Sequence, residues 1–226
     1  KGEAGSVYTS VRYEAVASMP TKEIEVVDPK TYMRMYNEAL LTRNPDATPA
    51  YSLTKIERTG DPRYPSYVYP ANDWYDILFK DYSVNHRVGV NVRGGSELMQ
   101  YYASVNYTND QGMLKTDRLN QFDVNIKNST LSSRINLNVD LNSAIRLLVN
   151  TSFSIDKYHG PLAETSEAYA LAFNASPVDF APTYPGDKQY GWPHLRFGNI
   201  PGGPDSGVKN PYASLQAGYK ERGRYS

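Results

Sequence analysis

Strict alternation of apolar and polar side chains is the feature that most limits how this chain can fold, because a period of two belongs to a strand with one apolar and one polar face. Over residues 84–93, Val84, His86, Val88, Val90 and Val92 oppose Asn85, Arg87, Asn91 and Arg93. Over 99–107, Met99, Tyr101, Ala103, Val105 and Tyr107 oppose Gln100, Tyr102, Ser104 and Asn106, and Gly94-Gly-Ser96 between the two runs is a tight hairpin signal. The pattern returns with Ile135, Leu137, Val139 and Leu141 against Asn136, Asn138, Asp140 and Asn142. After Ser143 it resumes as Ile145, Leu147, Val149, Phe153 and Ile155 against Arg146, Asn150, Ser152, Ser154 and Asp156. Near the start, Val7, Thr9, Val11, Tyr13 and Ala15 alternate with Tyr8, Ser10, Arg12 and Glu14. Phe122, Val124 and Ile126 alternate too, but out of phase with Ile135, which predicts a bulge or turn at 128–132.

Alternation alone fits a soluble sandwich and a membrane barrel equally; connection lengths separate them. Short turns at 94–97 and 142–144 alternate with long links at about 17–83, 110–132 and 159–210. Tracing the chain back and forth puts every short turn on one side and every long loop on the other, the rule of outer-membrane barrels. The strand runs are about 10 residues long, enough for a tilted strand to cross a bilayer, whereas sandwich strands are nearer 5 or 6. The predicted fold class is therefore all-β: part of a transmembrane antiparallel β-barrel, about six strands of a larger barrel, with long extracellular loops carrying short helices. Asp28-Pro29 before Tyr32, Met33, Met35, Tyr36, Ala39 and Leu40 predicts a capped amphipathic helix, and further short helices are expected over 73–80 and 165–174. The latter stops ahead of Pro177, and 182–211, rich in Pro, Gly and aromatics, is predicted irregular.

Several function classes are disfavoured. The formal charge is +0, from 24 basic and 24 acidic residues, so no electrostatic footprint for nucleic acid exists. Cysteine is absent, which removes disulfides, thiolate metal sites and a Cys nucleophile. The longest apolar candidate, residues 169–173, falls far short of the roughly 20 residues of a membrane-spanning helix. Lys1-Gly-Glu-Ala-Gly5 has neither an initiating Met nor a signal-peptide core, so the chain is expected to be mature or cut from something longer. His86, His159 and His194 lack ligand spacing, there is no Gly-x-Ser-x-Gly elbow, and Gly94-Gly95 and Gly202-Gly203 read as turns rather than phosphate loops. Asp73, Asp76, Asp110 and Asp117 read as caps, turns and solvated loops rather than a glycosidase pair or calcium site. No catalytic, metal or cofactor site is predicted.

Tyrosine, 20 residues against 6 Phe and 2 Trp, suits surfaces that are half apolar and half wet. Members of the set Tyr101, Tyr102 and Tyr107 are expected in interfacial girdles. Tyr184, Tyr190, Trp192 and Phe197 are candidates for ligand or partner contact, against the simpler reading that they pin an irregular loop. The polar set Arg87, Asn91, Asn106, Asn138 and Asp140 is expected to face the lumen, lining the channel or meeting a plug.

The run Tyr69-Pro-Ala-Asn-Asp-Trp-Tyr-Asp-Ile-Leu-Phe79, then His86, Gly94-Gly95, Tyr101-Tyr-Ala-Ser-Val-Asn-Tyr107 and Asp110-Gln-Gly112, resembles the SusC/RagA family of TonB-dependent outer-membrane transporters. Asn174-Ala-Ser-Pro177, Asn210-Pro-Tyr-Ala213 and Gly218-Tyr219 follow in the same order, so the resemblance spans nearly the whole chain. It implies active import, energised through the TonB complex, by a plug inside a barrel of about 22 strands. It also implies a SusD-like surface lipoprotein as partner, glycan or peptide substrates with glycan fragments preferred, and the cell outer membrane of a Gram-negative, Bacteroidetes-like bacterium. Residues 1–226 would then be the first barrel strands after the plug, since about six strands cannot close a barrel that needs at least 8. A secreted β-sandwich that binds carbohydrate, oligopeptide import by the same barrel, and a passive porin are the competing expectations.

Overall fold

A computed structural model describes residues 5–21, 25–187, 189, 194–198 and 209–226. Six strands form one antiparallel sheet: β1 (Gly5–Ser18), β2 (Ser83–Gly95), β3 (Met99–Gln111), β4 (Lys127–Asp140), β5 (Arg146–Pro161) and β8 (Tyr219–Tyr225), in spatial order β1-β2-β3-β4-β5-β8. Each strand pairs with its neighbours in sequence along the sheet, the meander of an up-and-down barrel wall. The tight links β2–β3 and β4–β5 lie at one end, and the three long connections leave from the other. The predicted alternation of connection lengths is the observed one.

The register aligns the alternation from strand to strand. Tyr13, Val88, Tyr107, Leu131, Ile155 and Tyr225 occupy one row across all six strands. Val11, Val90, Val105, Ser133 and Phe153 lie in the second row below it on the same face, with Thr9, Val92, Ala103, Ile135 and Thr151 in the next. The intervening rows carry polar side chains to the opposite face, because successive residues of a strand point to opposite sides. Among the described residues no second layer covers the apolar face: Val11, Val105, Ile135 and Phe153 are all exposed.

The three long connections hold the packed interior. Fourteen buried hydrophobic residues among those described lie outside the six-stranded sheet, which adds only Pro161, at the loop end of β5, to the largest fully buried side chains. One cluster joins Trp74, Leu78, Phe79, Leu114, Val124, Ala172, Phe180 and Leu215, contributed by all three connections. A second joins Met33, Tyr51, Ile56 and Val178. The elements that carry them are α1 (Pro29–Arg43), α2 (Leu53–Arg58), α3 (Trp74–Leu78), α4 (Thr165–Asn174), the two-residue strands β6 (Thr183–Tyr184) and β7 (Arg196–Phe197), and α5 (Pro211–Gln216).

Side-chain caps account for where most of these helices begin. The Asp28 carboxylate accepts from the Lys30 and Thr31 backbone N–H groups at 3.0 and 3.1 Å, with Pro29 in the first helical turn, as predicted. Ser52 caps α2, Asp73 caps α3, and Asn210 with Pro211 opens α5.

Three expectations need correction. β4 runs unbroken from Lys127 to Asp140 against β3, so no bulge or turn lies at 128–132. Phe122, Val124 and Ile126 precede β4 and alternate because they pack on the loop core, where Val124 is fully buried. The helix expected over 73–80 is shorter, Trp74–Leu78, because Phe79 leaves it to bridge Leu114. Within 182–211, β6 and β7 pair Thr183 with Phe197 and Tyr184 with Arg196, so that stretch is not wholly irregular. The helix α2 was not predicted, since six residues are too few to display a helical period.

Candidate functional site

Two surfaces can meet other molecules: the polar face of the sheet and the loop cap above it. On the polar face, one row reads Ser10, Asn91, Ser104, Arg134 and Ser152, with Arg12, Gly89, Asn106, Ser132 and Ser154 beside it. Asn106, Ser132, Arg134, Ser152 and Ser154 line one shallow trough. Arg134, exposed at its centre, forms no ion pair among the described residues. Several charges elsewhere on this face are paired or stacked: Arg12 with Glu14, Arg146 with Asp140, Asp156 with the Thr130 hydroxyl at 2.7 Å, and Arg93 over the Tyr8 ring at 5.0 Å. Such a surface recognises hydroxyl- and amide-rich solutes through many weak donors and acceptors.

The register brings Arg87, Asn91, Asn106, Asn138 and Asp140 together on this one face. Tyr102, Ser104, Ser152 and Ser154, read from the sequence on the polar sides of their strands, join this surface, whereas Arg134 and Ser132 were missed although the parity of Asn136 and Asn138 points to both. Tyr101 and Tyr107 lie on the apolar face, six positions apart, and Tyr102 on the polar one. Of the aromatic candidates, Tyr184 sits edge-on to Tyr67 at 6.0 Å and Phe197 to Tyr212 at 6.3 Å, at opposite ends of the β6–β7 ladder. Tyr190 and Trp192 lie outside the described residues.

Polar contacts sew the three connections into one cap. Asn72 donates its backbone N–H to Pro177 O at 2.9 Å and its amide to Phe180 O at 2.7 Å, and Trp74 donates its indole N–H to Ser176 O at 2.9 Å. Gln216 donates to Lys115 O at 2.9 Å while its oxygen accepts from Asn120 and from Asp117 N–H. The phenols of Tyr51 and Tyr212 are pushed up by burial and by the Asp179 and Asp117 carboxylates they bond. Burial would raise the carboxyl of Asp123, but Lys127 at 2.7 Å, the Thr116 hydroxyl at 2.6 Å and the Asn125 N–H at 2.8 Å outweigh it and hold it at about 2. Among the described residues, no group of three His, Asp or Glu side chains could hold a metal ion, and no helix is long and apolar enough to cross a membrane.

No family model matches the chain. It is 29% identical over 155 residues to a TonB-dependent receptor of Formosa agariphila, an alignment covering 68% of this chain and 13% of that relative. Its fold is similar to the RagAB peptide transporter, with a TM-score of 0.57, 15% identity and coverage of 93% of this chain and 24% of that one. The RagAB peptide importer in the open-open state gives a TM-score of 0.53 at 16% identity over 87% of this chain and 24% of that one. The chain thus spans about an eighth of the receptor and a quarter of the RagAB chains. The chain is thus similar in sequence to part of a TonB-dependent receptor and shares the fold of part of the RagAB chains, an antiparallel alternating sheet with its long loops at one end.

Proposed function

We infer that residues 1–226 form the first barrel strands and part of the extracellular cap of a TonB-dependent importer in the outer membrane of a Gram-negative, Bacteroidetes-like bacterium. The observation that carries this reading is the uncovered sheet: an apolar face with nothing packed on it, backed by a polar face of amides, hydroxyls and arginines. The apolar face meets lipid, where every strand must be hydrogen-bonded and no outward charge is tolerated cheaply. The polar face, with Arg87, Asn91, Asn106, Asn138 and Asp140, lines the channel or meets the plug. Neither surface is an enzyme's.

The cargo is bulky nutrient, with glycan fragments favoured by the hydroxyl- and amide-rich wall and the tyrosines of the cap. Oligopeptide cargo is the second reading, favoured by the peptide importer to which the fold is similar. A SusD-like lipoprotein is the partner on the loop side, the TonB complex supplies energy through the plug, and Tyr184 and Phe197, with Tyr190 and Trp192, are candidate contacts for ligand or lipoprotein.

Uptake of a labelled oligosaccharide and a labelled oligopeptide by cells carrying the full-length transporter, with and without TonB, tests the proposal. TonB-dependent oligosaccharide uptake is the expected result. Uptake that survives loss of TonB would identify a passive pore, and peptide uptake alone would move the cargo to the second reading.

A further inference from the structure

The apolar face ends abruptly at the loop side. From the row of Met99 and Val139 up to the row of Tyr107, Leu131 and Ile155, no outward position carries a charge. Residues 99–107 of β3 span roughly 20 Å of tilted strand, close to the apolar band of a barrel. Tyr13, Tyr107 and Tyr225 stand together in the topmost apolar row, where an interfacial girdle belongs.

One row higher, Asn109, Ser129 and Lys157 come into line with Gly223, and above them Lys127, His159 and Glu221. All of these but Asn109 line one cleft, together with Asp123, Tyr158, Arg222 and Tyr225. Both carboxylates at the cleft are already engaged: Asp123 by Lys127 at 2.7 Å, Glu221 by His159 at 3.1 Å. Lys157, exposed, forms no ion pair with either. The side chains beside it in its own row and the row below on β3 and β4 are uncharged: the Ser129 hydroxyl, the Tyr107 phenol and the Asn109 amide, which donates to Tyr107 at 3.2 Å. An ammonium with no ion pair among the described residues, beside hydroxyl-bearing neighbours and one row above the tyrosines, complements an anion that sits at the head-group level of a bilayer.

We propose that this cleft binds the phosphate of an outer-leaflet glycolipid head group, with Lys157 as principal ligand. The proposal rests on the reading that the apolar face meets the membrane. A lysine beside an anionic head group strengthens attachment about fivefold, whereas a merely snorkelling lysine has no preference for phosphate.

The test uses the full-length transporter purified in detergent, with native mass spectrometry reading the lipid retained from equimolar phosphorylated and dephosphorylated lipid A. Inorganic phosphate is added in a separate arm. The expected result is preferential retention of the phosphorylated lipid, reduced about fivefold by Lys157→Ala, restored by Lys157→Arg and unaffected by millimolar phosphate. Equal retention of the two lipids, or a preference that Lys157→Ala leaves intact, overturns the proposal; competition by inorganic phosphate overturns the assignment to a lipid. A spin label at Ile135 in the same preparation separates the two failures. A label in lipid with no phosphate preference sinks the cleft alone, and a label in water sinks the membrane reading and the cleft with it.

Discussion

Ile135 lies at mid-height of the apolar face, flanked in its row by Ala103 and Thr151, and its neighbour Asn136 points to the polar side. Ile135→Arg is expected to cost about 2–4 kcal/mol in the assembled barrel, and Asn136→Arg far less, as read by denaturant titration of the full-length protein in lipid. In the cap, Phe180 is buried with its ring 5.4 Å from Trp74, so Phe180→Ala should cost the cap about 3–5 kcal/mol and appear as faster proteolysis of the loops. Asp123 gives a pH dependence with a definite sign. Its carboxyl, held at about 2 by Lys127, Thr116 and Asn125 against burial, titrates below its value in the unfolded chain, about 4. The attachment of residues 112–126 is therefore intact above about pH 4 and weakens as pH falls through about 2, as measured by hydrogen exchange of those amides. Asp123→Asn should flatten that dependence.

At the scale of elements, α5 shows how a short helix is held where its sequence is too brief to impose it. The Asn210 oxygen accepts from Tyr212 and Ala213 N–H, and its amide donates to Pro182 O at 3.1 Å and Gly198 O at 3.3 Å, tying the helix to the β6–β7 hairpin. Asn210→Ala should cost about 1–2 kcal/mol and raise hydrogen exchange in both pieces together, because one side chain serves both. The β2–β3 turn has a different constraint. A Cβ at Gly95 would lie 2.2 Å from Met99 O, so Gly95→Val is expected to disrupt the hairpin and lower the yield of folded barrel in membranes. That hairpin was legible from Gly94-Gly-Ser96 and the parity of its two strands, and α1 from Asp28-Pro29. The segment 122–126 was misread as strand-like, since a loop that packs every second side chain on a core has the same period as a strand.

For the whole molecule, the arrangement inverts that of a soluble sandwich: the sheet is a single layer with both faces open, and the buried interior lies in the connections. Labels walked along β4 in the full-length protein should alternate in lipid access from Leu131 to Val139, odd positions in lipid and even ones in water; a uniform profile would contradict a barrel wall. Whereas β8, with Glu221 and Gly223 at outward positions, shows no such period, the existence of β1 to β5, the phase of their two faces and the side to which long loops go were present in the sequence, because each follows from local periodicity and chain direction alone. So was the common face of Arg87, Asn91, Asn106, Asn138 and Asp140, once neighbouring strands are paired in phase. Tertiary structure alone decided the rest: that three loops distant in sequence share one core around Trp74, Phe180 and Leu215, that Val124 turns into it, and that Tyr13, Tyr107 and Tyr225 form one row below Lys157. Packing between segments far apart in the chain and the register between strands are non-local, and no period within a segment records them.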